Sequence, residues 1–129
     1  MLITEIIPVA AALCFILATV YMISKDGRYS KTVWMVPAAL CGAFLIFSIY
    51  TVLTEGLTTV WLNHTQNFWG NQVWIDLLIA IGIGFAMLAP RAKAQGMNPW
   101  LWLILILCTG CIAVLAMFAR VIYLENQEA

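Results

Sequence analysis

Four long runs of apolar residues constrain the fold of this chain more than any other feature of its sequence. The runs cover residues 6–23, 33–53, 73–89 and 100–119. A helix needs about 20 apolar residues to cross a hydrocarbon layer of about 30 Å. In lipid, each backbone polar group must also find its partner within the chain. Each run is therefore predicted to be one transmembrane α-helix.

The composition excludes the soluble alternatives. Of the 129 residues, 64% are hydrophobic and only 9% are charged, whereas soluble domains are about 45–50% apolar and about 25% charged. A chain this short has too little interior to bury so much apolar surface, and its net charge of zero gives no attraction for nucleic acid. We predict an all-α membrane protein, in which residues 1–129 form a single domain built as a four-helix transmembrane bundle.

The positions of the basic residues predict the orientation. Five of the six Lys and Arg residues lie in the loops 24–32 and 90–99, and an excess of basic residues marks cytoplasmic loops. The sequence therefore predicts a bacterial-type inner-membrane protein with both loops cytoplasmic and both termini outside. Pro90 is expected to end the third helix, and Asn98 followed by Pro99 to begin the fourth.

Three ionisable residues are predicted to converge at the outer side of the bundle. Asp76 is the only acid inside an apolar run, and a charge there should face protein or water and find a partner. Glu55 shares a helical stripe with Ser48 and Thr51, and Arg120 shares one with small or polar residues. We therefore expect Glu55, Asp76 and Arg120 to form an outward-facing polar pocket.

Roles for the pocket residues follow from their chemistry. Glu55 or Asp76 would act as a general acid in a partly desolvated site, and Arg120 would hold an anionic headgroup. Binding contacts are also expected from three neighbouring side chains, His64, Trp69 and Gln72. Simpler alternatives stay open, namely an Asp76–Arg120 structural ion pair, side chains of Glu55 and Arg120 that reach the lipid headgroups, and a solvated His64.

The cysteines predict no redox or metal chemistry. All four lie inside apolar runs, so neither a disulfide framework nor a metal-binding spacing is present. Cys108 and Cys111 form a C-x-x-C motif similar to that of membrane thiol oxidoreductases of the vitamin K epoxide reductase type. This chain lacks a loop pair to relay electrons, and a catalytic thiol needs an accessible site that stabilises its thiolate. We predict inert thiols, no metal site and no cofactor.

The second half of the chain, residues 67–125, resembles a family of small uncharacterised bacterial four-helix membrane proteins. The resemblance rests on Asn-Phe-Trp-Gly-Asn at 67–71, Asp-Leu-Leu at 76–78 and a basic glycine-containing loop at 91–96. More remotely, Trp-Ile-Asp-Leu-Leu at 74–78 is similar to acidic motifs of integral-membrane lycopene and meroterpenoid cyclases, although the paired glutamates of the lycopene cyclases are missing. The resemblance implies a four-helix architecture and an isoprenoid-like ligand.

Three functions remain open from the sequence. The first is a protein that binds or processes a lipid-like or isoprenoid molecule in the outer pocket. The second is a non-catalytic accessory or assembly subunit, for which small-residue pairs such as Ala38 and Gly42 would allow close helix packing. The third is a small transporter. The expected partners are membrane lipids, with either a second copy of the chain or a larger membrane complex.

Overall fold

The computed structural model describes residues 2–27 and 29–128, and this part of the chain forms six α-helices. Three of them, α1, α2 and α4, are long and apolar enough to cross a membrane, and α5 is a shorter apolar helix. The all-α prediction is confirmed, and the apolar helices are consistent with a membrane protein, but the prediction of four spanning helices is wrong. The helices are α1 (Ile3–Ser24), α2 (Met35–Glu55), α3 (Thr58–Thr65), α4 (Phe68–Ala94), α5 (Pro99–Thr109) and α6 (Cys111–Glu128).

Helix α1 belongs to a compact unit of its own, residues 1–30. At its start, the Glu5 carboxylate accepts the backbone N–H of Leu2 at 2.9 Å, which satisfies one of the free donors at a helix N-terminus. After its end, the Tyr29 hydroxyl donates to the carbonyl of Met22 at 3.3 Å. The predicted span 6–23 falls within this helix.

The other five helices form a second unit, which begins at residue 31. Within it, α2 and α6 run antiparallel. The Trp34 and Tyr123 rings meet edge to face with their centroids 5.2 Å apart, and the Cys41 thiol donates to the carbonyl of Ile112 at 3.3 Å. Residue numbers thus rise along α2 as they fall along α6.

Helices α4 and α6 run parallel. Arg91, near the end of α4, forms a two-pronged ion pair with Glu125 near the end of α6, with N–O distances of 2.8 and 2.6 Å. Further back along both helices, a Cβ at Gly84 would lie 3.7 Å from a methyl carbon of Val114. The two helices therefore end at the same end of the unit.

Helix α5 returns from the end of α4 to the middle of the same helix. Its 11 residues span about 16 Å, which is about half of a hydrocarbon layer. It ends at Gly110, where a Cβ would lie 3.8 Å from the Ile81 side chain, and Gly110 has φ of +63° and ψ of −126°. This left-handed residue reverses the chain, so that α5 and α6 form an antiparallel hairpin.

The hairpin corrects two predictions. The apolar run 100–119 does not form one spanning helix, because the backbone turns back at Gly110. The end of α6 also lies beside the loop 90–99, because the side chain of Gln95 donates to Glu128 at 3.1 Å. The predicted four-helix bundle is therefore wrong in its helix count, and the end of α6 lies beside the loop 90–99 rather than on the opposite side of the unit.

The unit has a basic end and an acidic end. We call the end where α4 and α6 finish the basic end, and we call the end that holds Glu55 and Asp76 the acidic end. Arg120 lies ten residues beyond Gly110, about 15 Å along α6, and so belongs to the basic half. The four basic residues of the described chain from residue 31 onward are all in that half: Lys31, Arg91, Lys93 and Arg120.

The buried core also lies in the basic half, where α4, α5 and α6 pack together. Met117 and Val121 of α6 are fully buried against Leu88 and Ala92 of α4, and Ile106 of α5 completes the contact. The acidic half has no α5 or α6 beside α2 and α4, because the hairpin stops at Gly110. This difference leaves room for a groove.

Two predictions about helix ends have opposite outcomes. Asn98 accepts the N–H of Trp100 at 3.1 Å with Pro99 at the first helical position, which confirms the predicted start at Asn98. Pro90 was expected to end its helix, but α4 continues through it to Ala94. Proline removes one backbone hydrogen bond, and the last turn of α4 is held by the core instead, where Ala92 is fully buried.

Candidate functional site

A groove of about 500 Å³ opens in the acidic half of the unit. We call it the acidic-end groove. It is lined by α2, by α3, by one residue of α4 and by the turn at Gly110. It exists because α5 crosses only half of the unit. Apolar side chains such as Phe44, Phe47 and Leu77 line one part, and polar side chains gather towards α3, namely Glu55, Thr59, Asn63 and His64.

Helix α3 is fixed against the start of α4 by close backbone contact. A Cβ at Gly70 would lie only 2.5 Å from the carbonyl oxygen of Asn63, so no side chain fits there. The side chain of Asn71 donates to the carbonyl of His64 at 2.7 Å. Asn67 caps α4 by accepting the N–H of Gly70 at 2.8 Å. The polar part of the groove is therefore held on a rigid helical corner.

His64 is oriented within this corner. Its Nδ1 lies 2.6 Å from the carbonyl oxygen of Val60, and a carbonyl can only accept, so Nδ1 carries a proton. Its ring packs beside Trp74 with centroids 5.0 Å apart. The Nε2 atom is left available for a hydrogen bond with a ligand.

The polar stripe predicted on α2 does line the groove. Ser48, Thr51 and Glu55 all contribute to its wall, followed by Thr59 of α3. The Thr51 hydroxyl donates to the carbonyl of Phe47 at 2.9 Å, which leaves its oxygen free to accept. In residues 2–27 and 29–128, no ion pair includes Glu55. Its carboxylate is therefore free to accept hydrogen bonds from a bound molecule.

Asp76 does not line the groove. It lies on an exposed part of α4, about 140° around the helix from Ile81 and about 160° from Ala92 at 100° per residue. Gln72, four residues earlier, is also exposed, and Trp69 has 77% of its surface exposed. The structure thus places these three predicted site residues outside the groove that holds Glu55 and His64.

Arg120 lies in a different groove, at the basic end. Together with Ala38 of α2 it lines a second depression of about 590 Å³ between α2 and α6. Glu55 follows Ala38 by 17 residues, about 25 Å along α2. Arg120 therefore meets neither Glu55 nor Asp76, and the Asp76–Arg120 structural ion pair, which the sequence left open as an alternative, does not form. The prediction assumed that residues 100–119 cross the membrane, which would have carried Arg120 to the acidic end.

In the described part of the chain, the cysteines and the other metal-binding types of side chain do not form a separate site. Cys108 and Cys111 flank the turn and line the acidic-end groove, both as free thiols. Within the described ranges 2–27 and 29–128, no three His, Cys, Asp or Glu side chains are grouped to hold a metal ion.

Sequence reasoning missed the turn that forms the floor of the groove. The available signal was Thr109-Gly110 inside an apolar run, because glycine is favoured where the backbone needs a positive φ. The groove that results combines apolar walls with a carboxylate, an imidazole and an amide at one side. Such a combination suits a molecule with an apolar chain and a small polar head.

Comparisons with known proteins leave this chemistry as the main guide to function. No protein-family model, curated protein or solved structure matches the chain.

Proposed function

We propose that this protein binds a lipid-like or isoprenoid amphiphile in the acidic-end groove. The apolar chain of the ligand would pack against Phe47 and Leu77, and its polar head would meet Glu55, Asn63 and His64. The observation that supports this proposal is the half-length α5. By turning back at Gly110, it leaves a groove with an apolar wall and a polar corner in the acidic half.

The size and composition of the groove support the same ligand class. Binding sites for small molecules are typically about 300–1,000 Å³ and mostly apolar, with a few polar groups that fix orientation. A volume of about 500 Å³ lies in this range. Of the two predicted general acids, only Glu55 lies in the groove, so Glu55 is the candidate acid if the ligand is also processed.

The orientation that we propose follows from the basic end. With four basic residues in that half of the described chain, the excess of Lys and Arg favours a cytoplasmic basic end in a bacterial-type inner membrane. The acidic-end groove then opens in the outer leaflet. In this arrangement the C-terminal end of α6 is cytoplasmic, together with the loop 90–99.

Photo-crosslinking tests the proposed binding. The purified protein in detergent is labelled with a diazirine-bearing prenyl alcohol and, separately, a diazirine-bearing palmitic acid, and labelled peptides are identified by mass spectrometry. We expect labels on the groove-lining part of α2 and on α3. Thr51→Trp should fill the groove and reduce these labels several-fold.

The matched control is Leu53→Trp on the same helix, since Leu53 is 79% exposed and does not line the groove. It should leave the groove labels unchanged. Labels confined to exposed helix faces, and equal in the two variants, would contradict the proposed binding.

A second candidate function, that of an assembly subunit, is favoured by Asp76. Asp76 lies five residues from Ile81, about 7.5 Å along α4 from the middle of the helix, and it has no ion-pair partner in the described ranges 2–27 and 29–128. An ionised carboxylate that faces lipid is unfavourable. A second helix that packs on this face, with Gln72 beside Asp76, would remove that exposure.

Molar mass in a mild detergent tests this alternative with the chain itself as the partner. If a second copy covers the Asp76 face, light scattering should show a dimer for the wild type and a monomer for Asp76→Leu. Glu55→Gln, which removes one carboxylate from the groove instead, should remain dimeric. A monomeric wild type would reject self-assembly through this face.

A further inference from the structure

We infer that the groove between α2 and α6 at the basic end binds an anionic phospholipid. Its phosphate would pair with Arg120, and one acyl chain would lie along the small side chains between the two helices. This site is separate from the acidic-end groove, so the inference does not depend on the function proposed above.

The floor of this groove is formed by small residues. Ala38 and Cys41 of α2 face Ala116 and Ala119 of α6, and together they leave a depression of about 590 Å³. Side chains this small let two helices approach closely without filling the space above the contact. The eight residues from Trp34 to Cys41 extend the groove over about 10 Å along α2, parallel to the direction in which acyl chains lie.

Arg120 supplies an uncompensated positive charge at the mouth of the groove. It is exposed, and in residues 2–27 and 29–128 it has no hydrogen-bond or ion-pair partner. The acids of this end have partners elsewhere, since Glu125 pairs with Arg91 and Glu128 accepts from Gln95. The planar guanidinium presents two N–H groups at the spacing of two phosphate oxygens, so the free charge complements a phosphodiester.

The depth of Arg120 agrees with the depth of a headgroup. Ten residues of α6 separate it from Gly110, which lies beside Ile81 at the middle of α4, and this corresponds to about 15 Å. Half of a hydrocarbon layer is also about 15 Å. Trp34 and Tyr123, which meet at 5.2 Å, flank the same mouth, and such aromatic side chains favour the headgroup level.

Competition between two lipids tests the inference. The protein is exchanged into detergent with equal amounts of phosphatidylglycerol and phosphatidylcholine, and bound lipids are counted by native mass spectrometry. A hydrogen-bonded ion contributes about 1.5–3 kcal/mol, so Arg120→Gln should weaken phosphatidylglycerol binding roughly 10- to 100-fold. Lys93→Gln removes the same charge from the same end and should leave binding unchanged.

A second pair of variants tests the groove without altering its charge. Ala38→Leu fills the floor and should release phosphatidylglycerol, whereas Ala39→Leu, at an exposed neighbouring position, should retain it. The inference is overturned if phosphatidylcholine is retained as well as phosphatidylglycerol, if Lys93→Gln weakens binding as much as Arg120→Gln, or if Ala38→Leu binds like Ala39→Leu.

Discussion

Replacing Gly110 with alanine is expected to destabilise the α5–α6 hairpin. Gly110 adopts φ of +63° and ψ of −126°, a region that residues with a side chain occupy only at a cost of about 1–3 kcal/mol. Space is not the cause, because an added Cβ would lie 3.8 Å from the Ile81 side chain, which is ordinary contact. The penalty comes from the backbone of residue 110 itself.

The same substitution favours the competing conformation. In a continuous helix, alanine is more stable than glycine by about 0.5–1 kcal/mol. Residues 99–128 without the turn would form such a helix, long enough to cross the membrane. The two effects add to a shift of about 1.5–4 kcal/mol against the hairpin, which is a change of roughly 10- to 1,000-fold in the equilibrium between the two forms.

Two measurements report this shift. Equilibrium unfolding in mixed micelles, followed by far-UV circular dichroism, should show a lower free energy of unfolding for Gly110→Ala. A C-terminal reporter whose signal depends on the side of the membrane should show a fraction of chains with the C-terminus displaced from the side of the loop 90–99.

Gly82→Ala is the matched control, because Gly82 lies within α4 at an ordinary helical φ and a Cβ there would meet nothing within 4 Å. It should be neutral or slightly stabilising. If Gly110→Ala unfolds like the wild type, and its C-terminus stays with the loop 90–99, the assignment of the turn to the backbone of Gly110 is refuted.

Three further predictions concern packing and charge. Gly70→Ala should separate α3 from α4 and lower stability by about 1–3 kcal/mol, visible as a lower unfolding midpoint; an unchanged midpoint would contradict the close contact with Asn63. Met117→Ala should leave a cavity at a fully buried position and lower the free energy of unfolding by an amount near the lower end of about 2–5 kcal/mol, whereas Met87→Ala, at a 70% exposed position, should have little effect. The hydrogen bond from Arg91 holds the pKa of the Glu125 carboxyl below its ordinary value of 4.5. This pair therefore stabilises the protein above pH 4.5. The stabilisation is lost as the pH falls through the lower pKa of the folded state. For such an exposed pair we expect at most about 1 kcal/mol, and Glu125→Gln should abolish this part of the pH dependence in unfolding titrations.

The parts of the fold that follow from local sequence were predictable. The runs 6–23 and 33–53 correspond to α1 and α2, and the start of α5 at Asn98 follows from an asparagine cap and a proline. These features depend on hydropathy and on hydrogen bonds between near neighbours in the chain. Both are readable without knowledge of the tertiary structure.

The direction of the chain after residue 110 was not predictable from the same signals. Hydropathy is the same for one spanning helix and for a hairpin of two helices, because both place apolar side chains in lipid. A glycine inside a membrane helix is common, so Gly110 alone did not indicate a reversal. Because one spanning helix was predicted, Arg120 was assigned to the acidic end, although it lies at the basic end. For the same reason it was wrongly included in the predicted polar pocket.

The shared face of Ser48, Thr51 and Glu55 on α2 was predictable for a different reason. Ser48, Thr51 and Glu55 lie on one helix, where spacing alone determines which side chains share a face. Whether that face meets another helix or a groove depends on where the other helices end. The sequence can thus identify site residues that lie on one helix. The residues that approach them from other helices depend on the whole fold.

The hairpin also bears on how the chain enters a membrane. In the proposed orientation α4 crosses the membrane, and α5 begins and α6 ends at the basic end. Arg120, Glu125 and Glu128 would then stay on the side from which the hairpin inserts and would not pass through the hydrocarbon layer, where each would add several kcal/mol to the barrier. Residues 95–128 would thus be inserted from one side, with no charged side chain to translocate.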